Sequence, residues 1–187
     1  AFKTPPTDDT GVFHILEHSV LNGSKRYTVK DPFLELIKSS MNTFLNAMTS
    51  SDFTIYPVSS RNEQDFMNLI GVYLDAVFCP AIYENPNIFY QEGWHYELNN
   101  ACEDLTFKGV VFNEMKGVFA SPESQLRNGL YRMMFPDTCY QYEAGGMPQS
   151  IPTLTYEQFI ETHTKHYHPS NSRIYLDGDV PIESVLK

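Results

Sequence analysis

The sequence predicts an α+β domain in which an antiparallel sheet packs against helices. Helical patterns alternate with short β-rich segments along the 187 residues, and no repeat or low-complexity linker separates them. The composition, with 42% hydrophobic and 14% aromatic residues, is typical of a folded globular protein with one sizeable core. We therefore interpret residues 1–187 as a single domain.

The first helix is predicted between Asp8-Asp9-Thr10 and Asn22-Gly23. The first group supplies capping oxygens and negative charge for a helix N-terminus, and the second group is a typical C-terminal stop. The residues between them are mostly apolar, so we expect this helix to be largely buried. Polar side chains on such a helix are costly unless something satisfies them.

Three of those polar side chains form the pattern His-x-x-Glu-His. His14 and His18 lie four residues apart, so both imidazoles are on one helix face and can reach one metal ion. Glu17 stands beside them, within reach of a water molecule on that metal. This order is the inverzincin signature of zinc peptidases. The alternative interpretation is an ordinary amphipathic helix with two ordinary histidines.

The next elements are a helix, a strand pair and a second helix. Asp31-Pro32 predicts a helix start, with the aspartate as cap and the proline at the first helical position. Residues 43–49 and 53–58 are extended segments that we expect to pair antiparallel through Ser50-Ser51-Asp52. An amphipathic helix follows over residues 62–78.

The second half of the chain is mainly helical. Asn85-Pro86 opens a short helix, and residues 107–119 and 122–135 form two helices separated by a proline break. Thr155 and Gln158 have the spacing of a capping box, which predicts a helix that ends before Pro169. The last predicted elements are a strand at residues 173–176 and a helix that begins at Pro181.

The third metal ligand is not fixed by local spacing. A catalytic zinc takes three protein ligands and leaves a position for water. Glu114 lies in a mostly apolar helix, where an acidic side chain indicates either a charged partner or a functional role. It is either that ligand or an exposed glutamate paired with Lys108 or Lys116. We expect packing and loop roles for the other histidines, which are His95, His163, His166 and His168.

Charge narrows the class of partner. The formal net charge of −10 argues against nucleic acid or an anionic membrane surface as a partner, and it suits basic peptides better. The alternative interpretation, which we favour for most of the charge, is a soluble acidic surface. No stretch of the sequence approaches the length of a membrane span.

Several long blocks of the sequence resemble one family of metallopeptidases. They include Thr-Gly-Val-Phe-His-Ile-Leu-Glu-His-Ser-Val-Leu at residues 10–21, Asn-Thr-Phe-Leu-Asn-Ala-Met-Thr at 42–49 and Lys-Gly-Val-Val-Phe-Asn-Glu-Met-Lys-Gly at 108–117. Shorter blocks stand at residues 23–24, 30–33, 72–78, 91–94 and 166–171. Together they resemble the presequence-protease branch of the pitrilysin (insulinase) family, which includes falcilysin, over essentially the whole chain.

The resemblance implies roles for individual residues. His14, His18 and Glu114 match the family's ligands for Zn²⁺, and Glu17 matches its catalytic base. Residues 43–49 match an edge strand that aligns the substrate, with Asn46 and Ala47 offering side-chain and backbone hydrogen bonds to the peptide. One position departs from the pattern. Many relatives have a cysteine where this chain has Asn22, so any redox behaviour of that cysteine is not expected here.

The resemblance also implies a larger enzyme. Its fold is the pitrilysin-like (LuxS/metallohydrolase-like) domain, and the family's members close two homologous halves around a chamber. We expect residues 1–187 to be an N-terminal zinc-bearing peptidase domain, incomplete at both ends and inactive without the C-terminal half. The implied activity is a zinc metalloendopeptidase that degrades short unfolded peptides, such as cleaved targeting presequences.

Alternatives remain for both function and compartment. The alternative function is that of a non-catalytic or structural member of the family, which acts as an interaction module. A processing peptidase that makes single specific cuts fits the motif blocks less well. The resemblance favours the mitochondrial matrix, with a plastid, a parasite vacuole or the bacterial cytoplasm as the other compartments.

Overall fold

Short antiparallel strands packed among helices make up the fold, as the sequence predicts for an α+β domain. The computed structural model describes residues 1–29, 32–180 and 182–186. Its helices are α1 (Val12–Val20), α2 (Pro32–Ser39), α3 (Glu63–Phe78), α4 (Asn87–Glu92), α5 (Val110–Val118), α6 (Pro122–Met134), α7 (Tyr156–His166) and α8 (Ile182–Val185). Its strands are β1 (Phe2–Lys3), β2 (Asn42–Leu45), β3 (Met48–Thr49), β4 (Phe53–Ile55), β5 (Val58–Ser60), β6 (His95–Glu97) and β7 (Thr106–Lys108).

The strands form three small antiparallel sheets. One sheet has the order β1-β4-β3, and the other two are the pairs β2-β5 and β6-β7. The predicted pairing across Ser50-Ser51-Asp52 is confirmed, because Thr49 lies opposite Thr54 in the β3–β4 pair. The predicted strand at 43–49 is interrupted at Asn46 and Ala47, where the chain passes from one sheet to another. This interruption leaves β3 at the edge of its sheet.

Helix α1 lies at the centre of the core. Ile15, Leu16 and Val20 are fully buried, and the helix contacts α4, α7, β3 and the short 3₁₀ turn Ala81–Tyr83. Burying three branched aliphatic side chains contributes about 5 to 9 kcal/mol of hydrophobic free energy. The helix is therefore fixed firmly by its apolar faces.

The predicted N-terminal cap of α1 is wrong. The cap position is Gly11, with φ of 67° and no capping side chain. Asp8 instead accepts hydrogen bonds from Thr10, and Asp9 accepts from the Glu143 amide at 2.9 Å. A Cβ on Gly11 would collide with Gly145, so the helix start is set by the close approach of two chain segments.

Capping is confirmed at two other helices. Asn62 accepts a hydrogen bond from the Asp65 amide at the start of α3, and Thr155 and Gln158 form both halves of a capping box on α7. The predicted cap Asp31 lies outside the described residues, while α2 begins at Pro32 as expected. Pro181 also lies outside them, and α8 begins at the next residue.

Two predicted elements differ in the structure. Phe107 and Lys108 belong to β7 rather than to a helix, because they pair with Tyr96 and His95 and the chain turns sharply at Gly109. Residues 173–176 form no strand. Arg173 exchanges backbone hydrogen bonds with Ala1, and Ile174 and Tyr175 are exposed.

Across the described residues, no helix combines the length and the apolar composition needed to cross a membrane.

Gly109 and Gly117 provide a matched test of how α5 is positioned. Gly109 has φ of 151°, and a Cβ there would collide with the Gly93 carbonyl oxygen, whereas a Cβ on Gly117 in the same helix meets nothing within 4 Å. We predict that Gly109→Ala lowers the free energy of unfolding by at least about 2 kcal/mol. Gly117→Ala should raise it by about 0.5 to 1 kcal/mol. Urea denaturation of both variants measures this; equal effects would contradict it.

The burial of His163 should make the stability of the fold depend on pH. The side chain is 2% exposed, its Nε2–H donates to the Val77 carbonyl at 3.0 Å, and its Nδ1 accepts from the Tyr83 hydroxyl at 2.7 Å. Burial lowers the pKa of His163 to about 4, below the value of 6.5 expected when it is unfolded. Between those values only the unfolded state takes up the proton, so the native state loses up to about 3 kcal/mol as the pH falls from 6.5 to 4.

The measurement is urea denaturation at pH 7 and at pH 4. The unaltered protein should lose about 3 kcal/mol more across this range than His163→Gln does. His168→Gln, at an exposed histidine, should behave like the unaltered protein. The same loss in His163→Gln as in the unaltered protein would contradict the account.

Candidate metal centre

The imidazoles of His14 and His18 lie side by side on the face of α1 that points away from the core. Their ring centroids are 5.0 Å apart. Glu114, on α5, faces both rings, with Oε2 at 3.5 Å from Nε2 of His14 and 3.7 Å from Nε2 of His18. The structure thus brings together two helices that are 96 residues apart in sequence (114 − 18).

The other nitrogen of each ring has its own partner. Nδ1 of His14 donates to the Gly145 carbonyl at 3.0 Å, and Nδ1 of His18 lies 3.4 Å from Oε2 of Glu92. A carbonyl and a carboxylate accept hydrogen bonds, so the proton of each neutral ring belongs on Nδ1. Both Nε2 atoms then present lone pairs towards Glu114.

This geometry fits a tetrahedral zinc ion. One nitrogen from each histidine and one oxygen of Glu114 all lie within 4.8 Å of one another. Zinc bonds of about 2.0 to 2.1 Å place neighbouring tetrahedral ligands about 3.3 Å apart, close to the two Nε2–Oε2 distances. Two imidazoles and a carboxylate, with a position left for water, are also the donor set of a catalytic zinc site.

The alternative partners of Glu114 are engaged elsewhere. Lys108 pairs with Glu97 at 3.4 Å, and the Lys116 ammonium lies over the Phe112 ring at 5.5 Å from its centroid. The apolar residues Val111, Phe112 and Met115 hold the opposite side of α5 in the core. Glu114 is therefore directed into the cavity beside α1.

Glu17 lies at the inner edge of the same cavity. The residue is 7% exposed, yet it lines the cavity together with His14, His18 and Glu114. It sits next to His18 in sequence and raises the pKa of that histidine through its negative charge. A buried carboxylate that lines the same cavity is suited to proton transfer there.

Three carboxylates control the charge of His18. Burial by itself lowers the pKa of the ring, but the hydrogen bond to Glu92 and the charges of Glu17, Glu92 and Glu114 raise the pKa overall above 6.5. For Glu92, burial raises the pKa, while hydrogen bonds from His18, Gln91 and Asn22 lower it overall below 4.5. Glu92 is therefore ionised at neutral pH.

The cavity extends from these residues to the edge of the β1-β4-β3 sheet. It has a volume of about 900 Å³ and is lined along one side by residues 46–51. The Asn46 amide donates to Pro57 and the Ser50 amide donates to Phe53, so the backbone groups of these even-numbered positions point towards β4. By alternation, the backbone groups of Ala47 and Thr49 point to the free edge.

Because of this register, Asn46 and Ala47, the two residues predicted to contact a substrate, have different groups available for hydrogen bonding. The Asn46 carbonyl also accepts from the Tyr73 hydroxyl at 3.3 Å, so the backbone of Asn46 is used within the fold and its side chain is what remains. Ala47 offers its backbone.

The remaining histidines stand apart from the metal centre. His163 is enclosed in the core, Nδ1 of His95 donates to the Tyr90 carbonyl at 2.7 Å, and His168 hydrogen-bonds with Ser170. His166 packs edge-on against the Phe13 ring. Among the residues the structure describes, the one cluster with metal-ligand geometry is His14, His18 and Glu114.

Sequence reasoning missed two partners of the histidines, Glu92 and the Gly145 carbonyl. The role of a backbone carbonyl cannot be inferred from residue type. The Gly145-Gly146 pair indicates only a loop in which the backbone can approach another segment closely. Glu92 had a weak signal, since it is an acidic residue within the apolar run that includes Ile88 and Phe89. Nothing in its local spacing relates it to His18, which is 74 residues away (92 − 18).

Comparison with known proteins gives the family. The family model described as "Insulinase (Peptidase family M16)" matches residues 4–101. "Protein HypA" of Clostridium perfringens is 58% identical over 186 residues, which cover 100% of this chain and 19% of that protein. "Presequence protease 1, chloroplastic/mitochondrial" of Arabidopsis thaliana is 55% identical over 178 residues, covering 95% of this chain and 16% of that protein.

A third relative, "Presequence protease, mitochondrial" of Danio rerio, is 50% identical over 189 residues and covers 100% of this chain and 18% of that protein. The chain thus spans less than a fifth of the length of these curated relatives.

Solved structures support the fold. A crystal structure of pitrilysin matches with a TM-score of 0.63 and 17% identity over 90% of this chain and 17% of that chain. The periplasmic protease PqqL from Escherichia coli matches with a TM-score of 0.62 and 16% identity over 91% of this chain and 18% of that chain. The family match over residues 4–101 and the relatives at 50–58% identity indicate the same family. The chain belongs to the insulinase family of peptidases, family M16, in its presequence-protease branch.

Proposed function

We propose that this chain is the zinc-bearing domain of a metalloendopeptidase that degrades short unfolded peptides. The observation that carries the proposal is the meeting of His14, His18 and Glu114 in one cavity, with the buried carboxylate of Glu17 beside them. His14, His18 and Glu114 would hold Zn²⁺, and Glu17 would be the catalytic base. Membership of a peptidase family and similarity to presequence proteases support the reaction class.

The chain's own residues would divide the chemistry between them. Bound zinc would acidify a water molecule and polarise the carbonyl group of the peptide bond. Glu17 would remove the proton of that water as it attacks, and then pass the proton to the departing amine. The Gly145 carbonyl and Glu92 would keep the two imidazoles in the tautomer that leaves Nε2 unprotonated.

The substrate would bind as an added strand at the free edge of β3. The outward backbone groups of Ala47 and Thr49 would pair with an extended peptide, and the Asn46 side chain would donate or accept one more hydrogen bond. Because only an extended backbone can pair in this way, folded proteins would be excluded. Unfolded segments would therefore be the preferred substrates.

The charge of the cavity supports basic peptides. Among the described residues, its lining contains four carboxylates, which are Glu17, Glu92, Glu114 and Glu143, against the single guanidinium of Arg127. A negative cavity attracts positively charged peptides and disfavours acidic ones. Cleaved targeting presequences are the substrates we propose, as the names of the Arabidopsis and Danio relatives suggest.

Those names also support a location in an organelle, and we propose the mitochondrial matrix or a plastid. The relative at 58% identity is bacterial, so a bacterial protein is the competing case.

We propose that cleavage requires a longer protein, as in relatives about five times longer than this chain. Helix α6 supports this, because none of its residues is buried and Leu126, Met133 and Met134 are each at least 66% exposed. Further polypeptide over that surface would bury it. The alternative function is a non-catalytic interaction module, which would not cleave peptide in any context.

Replacing Glu114 tests the metal site. We predict that Glu114→Ala raises the zinc dissociation constant at least about 100-fold, because it removes a direct ligand rather than an outer partner. The measurement is competition with a chromophoric chelator. Glu161→Ala, on an exposed residue of α7 outside the cavity, is the control and should bind zinc like the unaltered protein. Equal zinc affinity in all three proteins would rule out Glu114 as a ligand.

Replacing Glu17 tests the catalytic base. Glu17→Gln keeps the size of the side chain and removes its basicity, so it should retain one zinc per chain and lose about 10²- to 10⁴-fold in turnover. The assay uses an unfolded basic peptide and the longer protein that carries these residues. Near-normal turnover in the variant would contradict the role of Glu17. Absence of cleavage by the unaltered longer protein, loaded with zinc, would favour the non-catalytic alternative.

A further inference from the structure

We propose that Glu92 is a positioning residue that fixes His18 for metal binding, and that its negative charge makes His18 the stronger of the two imidazole ligands. The inference rests on the proposed zinc site and adds a residue to it.

Glu92 contacts the ring of His18 directly. Oε2 of Glu92 lies 3.4 Å from Nδ1 of His18, on the side of the ring opposite the Nε2 atom that faces Glu114. A carboxylate at Nδ1 holds the proton there and leaves the Nε2 lone pair free. Carboxylate–histidine–metal arrangements of this kind orient the ring and raise the basicity of the ligand.

Glu92 is buried although it carries a charge. The residue is 5% exposed, and an ionised carboxylate is rarely buried to this degree without partners that compensate for lost hydration. Its partners are the Gln91 amide at 2.8 Å, the Asn22 side chain and His18. Gln91 and Asn22 donate hydrogen bonds to the carboxylate, and the remaining partner is the ring of His18.

The backbone that carries Glu92 is packed into the core. Glu92 is the last residue of α4, whose Ile88 and Phe89 are buried in the core. The next residue, Gly93, approaches α1 so closely that a Cβ would lie 3.2 Å from a methyl carbon of Ile15. The carboxylate is therefore held against α1 by the packing of the backbone.

The two histidines differ in this respect. Nδ1 of His14 donates to the neutral carbonyl of Gly145, whereas Nδ1 of His18 faces an ionised carboxylate. The His14 contact is the shorter of the two, at 3.0 Å against 3.4 Å, so the difference rests on the negative charge of Glu92 and not on a shorter hydrogen bond. The structure thus assigns the greater electron donation to His18.

The competing explanation is an ion pair that only joins α4 to α1. It predicts that loss of Glu92 lowers the stability of the metal-free protein and leaves the intrinsic zinc affinity unchanged. The positioning role predicts a change in zinc affinity and in the protonation of the His18 ring, both of which can be measured in a folded protein.

The test compares Glu92→Gln with Glu143→Gln. The second variant removes the same charge from the same cavity, and its amide oxygen can still accept from the Gly145 amide, as Glu143 does at 3.3 Å. Zinc dissociation constants come from chelator competition, stability from urea denaturation of the metal-free proteins, and the His18 tautomer from nitrogen-15 NMR of the imidazole.

We expect Glu92→Gln to raise the zinc dissociation constant about 10- to 100-fold and to reduce the share of the Nδ1–H tautomer at His18. Glu143→Gln should change the constant less than about 3-fold. A dissociation constant in Glu92→Gln equal to that of the control would overturn the inference, and so would zinc bound through Nδ1 of His18.

Gln91→Ala is a milder variant in case Glu92→Gln does not fold. It removes one donor to Glu92 from an exposed residue, and a rise of a few-fold in the zinc dissociation constant is expected; no change would overturn the inference. Tight zinc binding by the unaltered protein, with no effect in either variant, would leave the proposed function standing and reject Glu92. No zinc binding by the unaltered protein would reject both.

Discussion

The contact of Glu114 with His14 and His18 is the interaction on which the rest of the site depends. No single helix can supply these groups, so α1 and α5 must be held at a fixed separation. The separation is set in the core, where Ile15 and Leu16 of α1 and Val111 of α5 are all fully or almost fully buried. A shift of 1 Å in either helix would spoil the Nε2–Oε2 distances of 3.5 and 3.7 Å.

Close approach of backbone segments extends this constraint to the outer parts of the site. Gly11 against Gly145 brings the Gly145 carbonyl to His14, and Gly93 against Ile15 brings Glu92 to His18. Gly109 against Gly93 then joins α5 to the same cluster. These glycines explain how one exposed carboxylate and two half-buried imidazoles are held in place by buried backbone packing. The edge of β3 completes the cavity because α1 also packs against that strand.

Side-chain patterns in the sequence predicted the α+β class, the helix that carries His14 and His18, and the capping box at Thr155. Local spacing was sufficient for the histidines, which are one helical turn apart. It could not decide between the two interpretations of Glu114, and the resemblance to a family was needed there. The cap of α1, strand β7 and the contact of Glu92 with His18 were not predicted, because each depends on a segment far away in sequence. Residues 173–176 look like a strand, but strand formation depends on pairing with another segment, and none of them is paired in a strand among the described residues.

The central claim is that two imidazole Nε2 atoms and one carboxylate oxygen form a metal site. The most direct test is a crystal structure of the protein grown with zinc, with anomalous data collected on both sides of the zinc absorption edge. The account predicts one anomalous peak about 2.0 to 2.2 Å from Nε2 of His14, Nε2 of His18 and an oxygen of Glu114. A peak bound through Nδ1, a peak at other residues, or no peak in crystals that contain zinc would contradict it.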